Sequence, residues 1–102
     1  MLQDILKQIN EFIQMAVKCK EILYFGTTWC PGCKTLKENL KDYDGRIPIK
    51  YIDCDEEETL TQKYNIRNIP ALIYLDEDGM ILERSVGAVP LQKVYDTIDK
   101  LC

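Results

Sequence analysis

The chain has 102 residues with 46% apolar and 29% charged side chains, and 13 Lys and Arg against 17 Asp and Glu give a formal net charge of -4. This size and balance fit one folded unit with one core, so a single domain over residues 1–102 is expected. The acidic balance offers no footprint for nucleic acid or an anionic membrane, and no stretch approaches the roughly 20 apolar residues that a membrane span requires, so the partners are expected to be proteins.

In chain order, Leu2, Ile5, Leu6, Ile9, Phe12, Ile13, Ala16 and Val17 recur at spacings of three and four and predict an opening helix. Asp4, Lys7 and Glu11 interrupt that segment, which lacks the basic start, apolar core and cleavage site of an export leader, so a cytoplasmic location is expected. Ile22 to Phe25 is a short apolar run with the pattern of a buried strand. From Pro31 to about Tyr43, Leu36 and Leu40 share a helical face with Cys33, while Lys34, Lys37, Glu38 and Lys41 take the other.

Turn-rich Asp42 to Pro48 leads into a strand over Ile49–Cys54 and a short helix from about Glu56 to Tyr64. After a loop over Asn65–Pro70, Ala71–Leu75 and Met80–Val86 read as two strands joined by Asp76-Glu77-Asp78-Gly79, whose glycine can supply positive φ. Leu91, Val94, Tyr95, Ile98 and Leu101 mark a closing helix that starts at Pro90. The predicted class is therefore α/β, in the order α-β-α-β-α-β-β-α. Helices between the early strands imply parallel pairing, and the hairpin adds one antiparallel strand.

The segment Thr27-Thr28-Trp29-Cys30-Pro31-Gly32-Cys33-Lys34 places two cysteines two residues apart at the start of the second helix. Residues i and i+3 there stand one turn apart on one side, so the two sulfurs are within reach of a disulfide. Cys30 falls at the cap, where unpaired N–H groups and the helix dipole favour a thiolate, and is expected to be the nucleophile. Cys33, one turn deeper, is better placed to resolve a mixed disulfide. Pro31 at the first helical position forfeits an N–H that had no partner, and Gly32 keeps the sulfur uncovered.

The chain has five cysteines and no histidine. An odd, unevenly spaced set excludes a full disulfide framework and suits a reducing compartment. A structural zinc site normally takes four Cys or His ligands, and no second CxxC or paired His stands here, so no metal ligands are assigned. Three readings of the pair stay open: a redox couple, a metal or iron-sulfur site shared between subunits, and inert structural thiols. Cys54 is expected to be a buried small thiol, and Cys102 a mobile terminal thiol prone to intermolecular disulfides.

With the motif set between a buried strand and a helix, the chain resembles the thioredoxin family. The resemblance is carried by Phe25 to Lys34, by Tyr64-Asn65-Ile66-Arg67-Asn68-Ile69-Pro70-Ala71-Leu72, which is similar to the family's cis-proline segment, and by Val86-Gly87-Ala88, similar to its substrate-lining glycine turn. It implies a thioredoxin-like fold with a central mixed sheet of four strands flanked by four helices, the family's N-terminal strand missing and Ile49–Cys54 at an edge.

The resemblance makes Cys30 the attacking thiolate and Cys33 the resolving thiol of a redox-active centre. Trp29, Pro31, Gly32, Ile69, Pro70, Gly87 and Ala88 would line a groove where an extended substrate hydrogen-bonds beside Pro70. It implies an enzyme, a protein-disulfide reductase serving electron transport and cell redox homeostasis. That enzyme would work as a monomer with no bound cofactor, its electrons coming from NADPH through a thioredoxin reductase. A glutathione-dependent, glutaredoxin-like reductase is the near alternative; a metal-binding or redox-inert binding module is the other. Tyr24 stands where the family carries a buried carboxylate, the dipeptide Pro31-Gly32 reverses the commonest family order, and Glu38 stands near the family's helix-kinking proline.

Overall fold

Ile22, Leu23, Tyr24 and Phe25 are all buried, which takes a strand covered on both faces. In the computed structural model, which describes residues 19–102, they form the centre of β1, Cys19–Gly26. The elements that follow are α1 (Pro31–Asn39), β2 (Ile49–Asp53), α2 (Glu58–Lys63), β3 (Ala71–Asp76), β4 (Ile81–Val86) and α3 (Leu91–Leu101). The helix predicted over Leu2 to Val17 lies outside the described residues.

Among the described residues the strands form one sheet in the order β2-β1-β3-β4, in which β2 holds the expected edge position and β1 is central. β2 runs parallel to β1, with Ile22 opposite Ile49 and Gly26 opposite Asp53, and α1 is the crossover between them. The expectation of parallel pairing for the next strand is corrected: β3 runs antiparallel to β1, with Phe25 opposite Ala71. The physical reason is where the connection packs: Tyr64, at the end of α2, sits on Phe25 with ring centroids 5.7 Å apart, beside the end of β1 that is level with the exit of β2. The chain therefore re-enters the sheet at the end where β2 left it. β4 completes the antiparallel hairpin, its turn held by Asp76 Oδ1, which accepts the amides of Asp78 and Met80 at 2.9 Å, and by Gly79 at φ 81°.

Alternation along the strands gives two apolar layers. Ile22, Tyr24, Leu72 and Tyr74 pack under Leu36 of α1 and Val94 and Ile98 of α3. Leu23, Phe25, Ile52, Ala71, Ile73 and Leu75 face the other way, toward Leu60, Tyr64 and Ile66 around α2. Each fully buried Leu or Ile contributes about 1.5–3 kcal/mol. The first helix of the described chain ends at Asn39, earlier than predicted. Leu40, Tyr43 and Ile47 turn back onto the core, and Tyr43 Oη closes that turn by donating to the Ile47 carbonyl at 2.6 Å and accepting its amide at 2.9 Å.

One expectation about the cysteines is overturned. Cys102 is joined to Cys19 across a sequence separation of 83 residues, with the two Cα atoms 5.5 Å apart. The last helical turn carries it there, its amide donating to the Ile98 carbonyl at 2.8 Å. Cys54 is half-buried beside the second apolar layer. Among the described residues no helix is long and apolar enough to cross a membrane.

Candidate active site

β1 delivers the chain to the site. Its last residue, Gly26, accepts the Cys54 amide at 2.9 Å, so β1 and β2 end side by side and Thr27, Thr28 and Trp29 turn over the sheet edge into α1. Cys30 takes the capping position with extended backbone (φ -77°, ψ 119°), and its sulfur accepts the Cys33 amide at 3.2 Å. A residue at this place satisfies one of the helix's unpaired N–H groups. Pro31 opens the helix as predicted. Both thiols are free, but Cys30 keeps only 6% of its surface and Cys33 4%, so the Cys30 sulfur is more enclosed than expected.

The enclosure has named walls. The Ile69–Pro70 peptide is cis, as the resemblance implies, and the Ile69 carbonyl lies 4.0 Å from Cys30 Sγ. A Cβ built on Gly32 would stand 3.1 Å from Pro70 Cδ, so glycine is what lets the helix start lie against this proline. The Pro70 carbonyl accepts the Gly87 amide at 2.8 Å, and Gly87 holds φ at 98°, a conformation that favours glycine. Ala88 follows, tied to the end of α1 by Asn39, whose side-chain amide donates to the carbonyls of Ala88 at 3.4 Å and Val89 at 3.0 Å. Trp29 stands on the rim with 64% of its surface exposed and donates from Nε1 to Asp55 Oδ2 at 2.8 Å.

Cys33 lies deeper. Burial pushes its thiol up to about 11, helped by its hydrogen bond with the Cys30 sulfur and opposed by the Thr27 amide. Tyr24 Oη donates to the Cys33 carbonyl at 2.6 Å, and burial followed by the neighbouring Cys33, Tyr51 and Cys30 raises the phenol to about 12. Tyr24 is therefore a neutral donor at physiological pH, spent on a carbonyl. Gly26 lets Cys33 and Tyr24 approach, because a Cβ there would fall 2.9 Å from both Cys33 Sγ and Tyr24 Cε1.

The groove of about 940 Å³ between α1 and the β2 edge, lined by Tyr24, Cys33, Lys37, Tyr43, Ile49 and Tyr51 among others, meets the pair from behind, at Cys33 and not at Cys30. Among the described residues, no group of three or more Cys, His, Asp or Glu side chains is gathered to hold a metal ion.

Of the residues singled out in the sequence, Cys30, Cys33, Gly32, Ile69 and Pro70 come together at the start of α1, and Gly87 backs Pro70 through its amide. Trp29 is on the adjacent rim, and Ala88 is anchored toward the far end of α1. Sequence reasoning missed two supports. They are Asp55, which holds Trp29, and Asn39, which holds Ala88 and Val89; each acts on a partner 26 or more positions away.

Two free thiols at a helix start, beside a cis-proline on a mixed four-stranded sheet, define a thiol–disulfide oxidoreductase site. A family profile described as thioredoxin-like domain matches residues 7–101. Thioredoxin of Staphylococcus haemolyticus is 35% identical over 95 residues, covering 89% of this chain and 88% of its own. Thioredoxin C-2 of Corynebacterium nephridii is 39% identical over 80 residues, covering 74% and 73%. In three dimensions the chain is similar to reduced Schistosoma mansoni thioredoxin, with a TM-score of 0.67, 29% identity and coverage of 93% and 90%. The chain belongs to the thioredoxin-like domain family and is a protein-disulfide oxidoreductase of that family.

Proposed function

We propose that the chain, as one thioredoxin-like domain over residues 1–102, reduces protein disulfides, with Cys30 attacking and Cys33 resolving. The observation that carries this reading is the Cys30 sulfur at the cap of α1, accepting the Cys33 amide while burial keeps the Cys33 thiol protonated. A substrate segment would lie extended beside Ile69 and Pro70, with Trp29, Pro31, Gly32, Gly87 and Ala88 around it.

In the first step the Cys30 thiolate bonds to one substrate sulfur, and the substrate's S–S bond breaks to release the other as a thiolate. In the second, Cys33 loses its proton and attacks the Cys30 sulfur. The Cys30–substrate bond breaks, and the second substrate thiol leaves. Two electrons pass from the cysteine pair to the substrate, and the pair ends as the Cys30–Cys33 disulfide. Tyr24 takes no proton in this scheme, because its hydroxyl is a donor to the Cys33 carbonyl. The thiolate released in the first step, or water in the groove behind Cys33, accepts it instead.

The pair is recharged by NADPH through a thioredoxin reductase, and the protein works as a cytoplasmic monomer without a bound cofactor. Replacing Cys30 with Ser is expected to reduce insulin-disulfide reduction to background, whereas Cys33→Ser accumulates mixed disulfides on Cys30. Equal activity in both variants would remove the assigned roles. Re-reduction of the oxidised protein by NADPH and thioredoxin reductase, set against reduced glutathione alone, tests the electron donor. Faster re-reduction by glutathione would replace this reading with the glutaredoxin-like one.

A further inference from the structure

Cys19 and Cys102 form a second cysteine pair that the active-site chemistry does not use. Cys19 opens β1, with the strand's other seven residues, about 23 Å, between it and the loop that leads to Cys30. Its backbone is paired with Asp76 of β3, and only 7% of its surface is exposed. Cys102 is exposed, and its amide is bonded to the Ile98 carbonyl at 2.8 Å. Sheet and helix therefore fix both backbones, with a Cα separation of 5.5 Å inside the ~4.4–6.8 Å window of disulfides.

We propose that Cys19 and Cys102 are a second dithiol–disulfide couple, a clasp between the sheet and the last helix that closes and opens with the surrounding thiol–disulfide balance. A low-molecular-weight disulfide such as oxidised glutathione closes it. The exposed Cys102 thiolate attacks one sulfur of that reagent, forming a mixed disulfide and breaking the reagent's S–S bond. The first thiol leaves with the proton Cys102 gave up. Buried Cys19 then loses its proton and attacks the Cys102 sulfur, expelling the second thiol. Two electrons have passed to the reagent, and excess thiol reverses both steps.

The clasp holds α3, which supplies Val94 and Ile98 to the layer beneath Leu36 of α1. It acts on the stability of that layer and makes no contact with the reacting sulfurs, so the inference stands apart from the roles given to Cys30 and Cys33.

The test counts thiols. Of the five cysteines, closure of both pairs leaves only Cys54 free. Full-length protein held in excess oxidised glutathione, then denatured and alkylated, is expected to show one free thiol by mass and to run as a monomer on a non-reducing gel. The Cys102→Ser variant should show two, Cys19 and Cys54, and should keep wild-type insulin reduction. Three free thiols in the wild type, a disulfide-linked dimer, or a lasting glutathione adduct on Cys102 would each overturn the proposal.

Opening is read separately, by alkylating native protein across a series of glutathione ratios. A bridge that stays closed in excess reduced glutathione is a fixed structural bond, which also overturns it. Oxidised wild type should melt on the order of 20 °C above oxidised Cys102→Ser, whereas the reduced proteins should melt within a few degrees of each other.

Discussion

At one end of β1, Cys30 and Cys33 stand three residues apart at a helix start, whereas at the other end Cys19 meets a residue 83 positions away. Closing so short a loop as the first constrains the unfolded chain by about 2 kcal/mol, while closing most of the chain constrains it by about 4–5 kcal/mol. A bond so local can therefore be made and broken with little change in the fold. The distant bond cannot be broken without spending a large part of a small domain's stability, which totals about 5–15 kcal/mol. Their surroundings differ in the same sense. Around the local pair stand a phenol bonded to the Cys33 carbonyl, an amide bonded to the Cys30 sulfur and a proline-bearing loop; at the distant pair, strand pairing and a helix turn simply hold two Cα atoms in place.

The difference is sharpened most by crowding the active end. Gly26→Ala would drive a methyl group into Cys33 Sγ and Tyr24 Cε1, each 2.9 Å from the built Cβ. Overpacking of this kind costs about 1–3 kcal/mol. Urea unfolding of the reduced protein should show that loss, and release of a trapped substrate from Cys30 should slow, because the resolving sulfur is displaced. Removal of Cys102 should alter stability alone. Should Gly26→Ala lose stability yet release substrate at the wild-type rate, the Cys33 sulfur is not positioned as tightly as described.

A pH series separates the two redox states of the active pair. Cys33 is raised from 9.0 to about 11, so the folded reduced chain holds this proton more tightly than the unfolded chain does. The resulting stability is fully present below about pH 9 and is lost as pH rises through about 11, on the order of 2 kcal/mol in all. Tyr24 and Tyr74, both raised to about 12, shift stability in the same direction; Tyr74 cancels in the difference, while the part of the Tyr24 shift due to Cys33 and Cys30 belongs to the reduced form and adds to the same decline. In a Cys102→Ser background, the stability of the reduced form relative to the oxidised form should therefore decline between pH 9 and 11. A flat difference would mean that Cys33 is not held as a buried neutral thiol.

The sequence made β1 and the start of α1 legible because their determinants are local. A contiguous apolar run ends in a turn, and a cysteine and a proline occupy the cap and first helical position. Pro70 and Gly87 became legible only through family resemblance, since neither carries a local mark of closeness to Cys30. What stayed hidden depends on register and chain direction. Trp29 meets Asp55 because β1 and β2 end level, with Gly26 opposite Asp53, and no spacing rule contains that alignment. Asn39 reaches Val89 across 50 positions, and Cys19 reaches Cys102 only because α3 ends where β1 begins. The direction of β3 stayed hidden for a related reason: a helical pattern marks a connection but not the end of the sheet on which it packs.

Tyr24 gives the smallest and most discriminating effect, because its chemistry was read from residue type and its role follows from geometry. A phenol beside a thiol suggests a weak proton acceptor. Here the hydroxyl is a donor, 2.6 Å from the Cys33 carbonyl, at a site buried to 6% exposure. Tyr24→Phe removes that donor with almost no change in volume and should cost about 1 kcal/mol of stability. If the bond also fixes the resolving residue, attack by Cys30 should keep its rate while release by Cys33 slows by roughly fivefold, the factor that corresponds to 1 kcal/mol. Stopped-flow kinetics with a disulfide substrate resolves the two phases. A uniform loss in both would make Tyr24 a core residue that supports the whole site; a loss confined to release would make it the group that aims Cys33, a role the distant clasp has no counterpart for.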